Sequence, residues 1–277
     1  MSKTKIPLAG VIGHPVAHSK SPQLHGHWLK TYGLPGHYVP MDVAPEDLQD
    51  VLRALPKAGF VGTNVTVPHK EVALRLADEV SDRARKIGAA NTLVFQKDGR
   101  IHADNTDGYG FLENLRSGAP DWSPSGGPAV VFGAGGAARA VLQALVDAEV
   151  PEVLLTNRTR ERAETLRDEF GPSIKVVDWV QAGNVIEDAE LVVNTSSLGM
   201  QGQPELRVPL DGLQPGAVVT DLVYAPLKTH LLKTAEEAGC TTVDGLGMLL
   251  HQAVPGFESW FGVRPEVNLD LRAAVLS

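Results

Sequence analysis

The chain has one cysteine, Cys240, in 277 residues, which excludes an intrachain disulfide and a metal site built on thiolates. A reducing compartment, the cytoplasm, is the expected location. No apolar run approaches the roughly 20 residues that cross a bilayer. The run at residues 6–12 follows Lys3 and Lys5, but Gly13-His14-Pro15 cuts it and no small-residue cleavage site follows. It reads as a buried strand and not as a secretion signal. Basic charge is also scarce. The 25 Lys and Arg are outnumbered by 33 Asp and Glu, for a net charge of −8, and no Lys/Arg stripe is clustered, which argues against nucleic acid as a partner. No repeat or low-complexity block is present. The nine histidines are scattered, and His14, His18, His25 and His27 lack a carboxylate partner pattern, so no metal is expected. What remains is an ordinary globular composition, 43% hydrophobic and 21% charged, long enough for two domains with cores of their own.

One stretch organises the rest. An apolar run at residues 129–132 ends in Gly133-Ala134-Gly135-Gly136-Ala137-Ala138, which opens into a run of strong helix formers. This is a strand, a tight turn and a helix, with glycines in the G-x-G-x-x-A pattern of a turn that carries a dinucleotide pyrophosphate. Gly133 allows the turn, Gly135 removes a Cβ where phosphate approaches, and Ala138 lets the helix sit close to the strand. The unbonded N–H groups of the first helical turn then face the anion.

Before that stretch, strands are expected at 6–12, 36–42, 60–67, 93–95 and 100–103, the last two flanking the hairpin turn Asp98-Gly99. Helices are expected at 22–32, 45–55, from 70 to 76, and after Asp107-Gly108 through Leu115. After it, strands at 153–156, 174–177, 191–194, 217–222 and 241–243 alternate with helices at 161–170 and 227–238. Short apolar strands in βαβ succession fit a parallel sheet covered on both faces. A last helix over 248–260, which Pro255 would interrupt, has no strand to follow it. The expected fold is therefore α/β with two domains. Residues 1–107 form a substrate-binding domain, 108–245 an inserted Rossmann-type domain, and 246–277 a helical segment that returns to the first.

A Rossmann turn that takes NAD commonly has Asp or Glu about 20 residues past the glycines, on the ribose 2′-hydroxyl. Here that place holds Asn157, followed by Arg158, Thr159, Arg160 and Arg162. A carboxylate would repel a 2′-phosphate, whereas guanidinium groups match it. Cations at a helix start also oppose the macrodipole, so three arginines there need a reason. The pattern favours NADP.

The other domain carries a set of neutral polar side chains with one lysine and one aspartate. Ser19 and Ser21 share a side if their segment is extended, although Ser21 reads equally well as a helix N-cap before Pro22. Asn64 and Thr66 share a face opposite Val65 and Val67. Lys70 falls in the first turn of a helix, where the dipole disfavours it. Asn91-Thr92 precedes a strand, and Asp107, in Asn105-Thr106-Asp107-Gly108, has a second reading as a turn residue and helix cap. Such groups suit a small polyhydroxylated acid. A lysine beside an aspartate would stay protonated and could give a proton to a carbonyl oxygen as hydride arrives.

With these residues in place, the chain resembles the shikimate/quinate dehydrogenase family over nearly its whole length. The matching stretches are Gly13-His14-Pro15 with Ser19-Lys20-Ser21-Pro22, Asn64 to Lys70, Gly88-Ala89-Ala90-Asn91-Thr92, Asn105 to Gly108, Gly133 to Ala138, Asn157-Arg158-Thr159 and Asn194-Thr195-Ser196. Asp221-Leu222-Val223-Tyr224 with Pro226 and Thr229, and Gly245 to Leu249 with Gln252, complete the set. Two departures are Gly26, where the family commonly has Asn, and Leu222, where some relatives have Met. The resemblance implies reversible NADPH-dependent reduction of 3-dehydroshikimate to shikimate, a step toward chorismate and the aromatic amino acids. It implies Lys70 and Asp107 as the catalytic pair. Ser19, Ser21, Thr66, Asn91 and Gln252 would join them on the substrate, with Tyr224 nearby. Gly133, Ala134, Gly135, Gly136, Ala137, Asn157, Arg158, Thr159 and Arg162 would bind NADP(H), with Leu222 and Gly245 by the nicotinamide and Asp82 near the cofactor. The expected partner is a small molecule, with no nucleic acid and no membrane, and the enzyme would be a monomer or homodimer. The alternatives are a quinate/shikimate enzyme using NAD and a non-catalytic NADP-binding sensor.

Overall fold

A computed structural model describes residues 6–277, so Lys3 and Lys5 lie outside the described residues. In chain order the elements are β1 (Leu8–Gly13), α1 (Ser21–Thr31), β2 (His37–Asp42), α2 (Leu48–Ala54), β3 (Gly62–Val65), α3 (Lys70–Leu76), β4 (Glu79–Val80), α4 (Asp82–Ile87), β5 (Thr92–Phe95), β6 (Ile101–Asp104) and α5 (Asp107–Gly118). They continue with β7 (Ala129–Phe132), α6 (Gly136–Asp147), β8 (Val153–Thr156), α7 (Arg160–Phe170), β9 (Ile174–Val177), β10 (Leu191–Asn194), β11 (Val218–Asp221), α8 (His230–Glu237), β12 (Thr241–Val243), α9 (Gly245–Phe261) and α10 (Leu269–Leu276).

The chain forms two α/β units, the first from residues up to Thr106 together with Gln252–Ser277, the second from Asp107–His251. The first unit has a six-stranded sheet in the order β2-β1-β3-β5-β6-β4. Its β1, β2 and β3 run parallel, whereas β5 is antiparallel to both β3 and β6. The short hairpin around Asp98-Gly99 imposes the reversal between β5 and β6, because only antiparallel strands can be joined by so short a connection. The core gathers Ile12, Leu48, Leu52, Leu93 and their neighbours.

The C-terminal segment completes this unit. Trp260 donates its indole N–H to the Leu93 carbonyl at 3.0 Å. Trp28 donates in the same way to the Glu266 carbonyl at 3.0 Å. Phe257 and Trp260 surround the ring of His25, which stacks on Tyr38 with centroids 4.0 Å apart. The expected interruption at Pro255 does not occur, and α9 runs through it. Proline costs the helix one hydrogen bond, but buried Val254, Phe257 and Trp260 anchor the turns around it. Two helices and one strand escaped the sequence reading. The helix α4 is two turns long and mostly charged, with only Ala84 and Ile87 buried. The two-residue β4 and the C-terminal α10 likewise have too little periodicity to register.

The second unit is a six-stranded sheet in the order β12-β11-β10-β7-β8-β9, with every pairing parallel. Residues 130–132 and 192–193 are fully buried, as apolar strands covered on both faces should be. From β7 the chain winds outward to β8 and β9, then returns to place β10 on the other side of β7. The ends of β7 and β10 therefore flank the topological switch point, where open α/β sheets bind ligands.

Gly62 of β3 meets the returning segment most closely. A Cβ there would lie 1.9 Å from Trp260 Nε1 and 2.3 Å from the Leu93 carbonyl oxygen. Gly62→Ala is expected to cost about 2–3 kcal/mol through this overpacking, seen as a lower urea midpoint, and an unchanged midpoint would show that Trp260 is not seated there.

Candidate functional site

In the first unit a buried polar network joins several of the singled-out residues. Asn91, just ahead of β5, donates its side-chain amide to Thr106 Oγ1 at 3.0 Å and to Gln252 Oε1 at 3.2 Å. Its Oδ1 accepts from the Thr106 N–H at 2.9 Å. The Thr106 hydroxyl donates to the Gln252 carbonyl at 2.8 Å. Asn64 donates to the Asn91 carbonyl at 3.1 Å and accepts from the Tyr38 hydroxyl at 2.6 Å. Buried amides and hydroxyls are retained only where partners satisfy them, and here they hold Asn91 and Gln252 in one place.

Lys70 is the first residue of α3. Its carbonyl accepts from the Ala90 N–H at 2.9 Å, which sets it beside Asn91. The preceding His69 is buried and its Nε2 is bonded to the Val43 carbonyl at 2.8 Å, fixing the start of that helix. Thr66 follows β3, its N–H bonded to the Ile12 carbonyl at 2.8 Å. Ser19 and Ser21 correct the sequence reading in two ways. The segment is not extended, since Lys20 is helical in conformation and Ser21 already belongs to α1. Nor does Ser21 cap the helix, because Lys20 occupies that position without a side-chain bond. The buried Ser21 hydroxyl instead lies beside the Tyr38 phenol, which burial raises well above its ordinary pKa and the serine pulls back down. Asp82 is exposed at the first position of α4.

Two interactions in this unit had no local signal. Tyr38 looked like an ordinary strand residue, and its partner Asn64 is 26 positions away. His14, expected to lack a carboxylate partner, bonds Asp42 Oδ1 through Nδ1 at 2.6 Å. The hydrogen bond from His14 lowers the Asp42 pKa. The pair is 28 residues apart and forms because β1 and β2 are parallel neighbours, with Gly13 opposite Asp42.

In the second unit the glycine turn has the expected form. Gly133 has φ +105°, and a Cβ there would lie 2.9 Å from Thr195 Oγ1, so the turn itself demands glycine. Gly135 is different. Its φ of −99° suits any residue, and a Cβ on it would meet nothing within 4 Å. The fold does not require glycine at 135, whereas a phosphate drawn close to the backbone does. Gly136 and Ala137 open α6 beside it, both exposed, and first-turn N–H groups lack intrahelical partners.

Asn157, at the end of β8, accepts from the Ala134 N–H at 3.2 Å and donates to the Thr159 carbonyl at 2.8 Å. It thus locks the glycine turn to the loop that carries Thr159. The arginines divide. Arg160 bonds Glu164 at 2.9 Å and Asp178 at 2.5 Å, a structural reason for its place. Arg158 and Arg162 are exposed and enter no ion pair among the described residues. They are the two cations left for an anion at that edge.

On the other side of the switch point, Asp221 ends β11 almost wholly buried. Leu222 is half-buried and Tyr224 partly exposed, its phenol pKa raised by burial. Gly245 opens α9 against this loop, where a Cβ would lie 2.4 Å from the Leu222 carbonyl oxygen. Asp107 is half-buried at the first position of α5. Among the described residues no three His, Cys, Asp or Glu side chains gather as metal ligands, and no helix is long and apolar enough to cross a membrane.

Burial pushes the Asp221 carboxyl up to about 6, against the pull of the Val223 N–H, the Thr229 hydroxyl and the Asn194 amide. Since the folded value is raised, its contribution to stability is full at low pH and is lost as pH rises through about 6. The stability of wild type relative to Asp221→Asn, from urea unfolding, should therefore fall by on the order of 2–3 kcal/mol between about pH 4 and pH 7. A difference independent of pH would contradict the raised value.

Comparison with known proteins matches three family models. They are the shikimate dehydrogenase substrate binding domain over residues 11–93, shikimate / quinate 5-dehydrogenase over 123–200, and the shikimate 5'-dehydrogenase C-terminal domain over 245–274. A shikimate dehydrogenase (NADP(+)) of Ruegeria sp. (strain TM1040) is 68% identical over 276 residues, covering 100% of both chains. Among solved structures, shikimate 5-dehydrogenase from Thermus thermophilus, in complex with NADP(H) and shikimate, is 39% identical with a TM-score of 0.86, covering 98% of this chain and 99% of that one. Quinate dehydrogenase from Corynebacterium glutamicum, in complex with NAD, is 34% identical with a TM-score of 0.90, covering 97% and 98%.

Proposed function

The chain belongs to the shikimate/quinate dehydrogenase family, and from that premise we propose that it catalyses the reversible, NADPH-dependent reduction of 3-dehydroshikimate to shikimate. The observation that carries the cofactor choice is the end of β8. Asn157 stands where a carboxylate would select NAD, and Arg158 and Arg162 are exposed next to it with no carboxylate partner among the described residues. The open space at Gly135 fits the pyrophosphate, with Gly133, Ala134, Gly136, Ala137 and Thr159 completing that cradle. Bound NADPH supplies the hydride to C-3 of the substrate.

The protein residues do the rest. Lys70 donates a proton to the carbonyl oxygen during reduction and takes it back during oxidation, with Asp107 as its partner. Ser19, Ser21, Thr66, Asn91 and Gln252 hold the substrate's carboxylate and hydroxyls. The network through Tyr38, Asn64 and Thr106 keeps Asn91 and Gln252 in register, which matters because small misplacements cost orders of magnitude in rate. Tyr224 would lie nearby, Leu222 and Gly245 would border the nicotinamide, and Asp82 would be near the cofactor. The enzyme works on small molecules as a monomer or homodimer, in the cytoplasm, as its single cysteine suits, and without nucleic acid, as its net charge of −8 supports.

A quinate reading with NAD has one point in its favour, the high structural similarity to the Corynebacterium glutamicum enzyme. Rates measured with NADP or NAD against shikimate or quinate decide between them. NADP with shikimate should give the highest kcat/KM, and a higher value for NAD with quinate overturns the substrate assignment. Asn157→Asp should weaken NADP far more than NAD, by about tenfold or more in KM, through repulsion of the 2′-phosphate. Equal weakening would remove Asn157 from cofactor selection.

A further inference from the structure

Three strand ends in the second unit are joined by buried side chains. The Thr195 hydroxyl, after β10, donates to the Phe132 carbonyl at 2.9 Å and so holds the glycine turn at the end of β7. Its neighbour Asn194 donates to Asp221 Oδ1 at 2.9 Å and to the Leu198 carbonyl at 3.0 Å. Asp221 Oδ1 also accepts from the Val223 N–H at 3.0 Å, and its Oδ2 accepts from the Thr229 hydroxyl at 2.7 Å. Thr229 is the N-cap of α8. One carboxylate thus ties together the end of β10, the first turn of the loop at 222–229 and the helix that closes this loop.

That arrangement is costly. Asp221 is 1% exposed, and a buried carboxylate contributes little stability beyond what well-packed apolar residues of the same size would give. What it supplies instead is a fixed geometry for the backbone at Leu222 and Val223. Leu222 is held from its other side by its N–H to the Asn194 carbonyl, at 3.0 Å. The position of this loop follows from the sheet order. The β8 side of β7 carries Asn157 and the arginines, so it takes the adenosine half of a dinucleotide. The other half must then cross the ends of β10 and β11, where the Asp221 loop lies.

We propose that Asp221, clamped by Asn194 and Thr229, is a positioning residue for hydride transfer, holding the loop at 222–229 against the nicotinamide half of the cofactor. This rests on the reading of the protein as an NADP-dependent dehydrogenase. At 1% exposed, the residue is too buried to touch cofactor or substrate. Its effect should therefore appear in the rate of hydride transfer and not in the affinity for NADPH, which the glycine turn and the arginines dominate.

The test begins with wild type. Failure to oxidise shikimate with NADP+ would overturn the underlying reading, whereas activity leaves the positioning role to be decided by variants at Thr229. Thr229→Ala, which removes one oxygen from the clamp, should lower kcat by about tenfold. It should also raise the primary isotope effect with NADPH deuterated at the transferred position, and leave the NADPH dissociation constant within about threefold. Thr229→Ser, which keeps the hydroxyl, should restore kcat to within about twofold. Asp221→Asn should shift kcat in the same direction as Thr229→Ala; if it fails to fold, the Thr229 pair decides alone. An unchanged kcat in Thr229→Ala, no rescue by serine, or NADPH affinity falling in step with kcat would each overturn the positioning role.

Discussion

The seating of Trp260 on Gly62 and Leu93 is the contact on which the first unit depends. A chain that leaves one α/β unit after Thr106 and re-enters it at Gln252 has to rejoin its own sheet. The indole hydrogen bond to Leu93 and the missing Cβ at Gly62 make that possible. The ring cluster of His25, Trp28, Tyr38 and Phe257 extends the joint. His25 is held there as a neutral imidazole, its pKa lowered to about 3 by burial. The same return carries Gln252 to Asn91. Packing of the C-terminal segment and assembly of the polar network are therefore one event, and loss of the first removes the second.

The second unit solves a different problem. Its sheet is wholly parallel and buried at its central strands, so backbone pairing and apolar packing fix the strands, while their carboxyl ends would be free to wander. Short polar side chains at those ends prevent this. Thr195 holds the glycine turn, Asn157 ties that turn to the next loop, and Asp221 gathers the loop beyond β11. Several residues that look like ligand contacts thus also serve as scaffold. Gly135 is the counterexample, since nothing in the fold uses its missing Cβ.

Much of this was legible in the sequence because it is local. The helix at 70–76, the strands at 153–156 and 191–194, and the hairpin around Asp98-Gly99 follow from short-range periodicity and turn chemistry. The G-x-G-x-x-A turn and Asn157-Arg158 could be read because strand, turn and helix are adjacent in the chain. What escaped is non-local. His14 meets Asp42 and Tyr38 meets Asn64 only after parallel strands have paired, and no spacing rule encodes that. Arg160 looked like part of an anion site until Asp178, 18 residues on, proved to hold it. Pro255 does not end its helix, because tertiary packing outweighs one lost hydrogen bond. Ser21 followed neither of its two local readings, since the helix begins one residue earlier than a serine cap requires.

In the proposed mechanism Lys70 moves the proton while the surrounding hydroxyls and amides hold the substrate. Lys70→Ala, assayed for turnover and for shikimate binding by calorimetry, tests it most directly. The account predicts a loss of turnover of about 10²- to 10⁴-fold, with shikimate still bound. Normal turnover in that variant would contradict it.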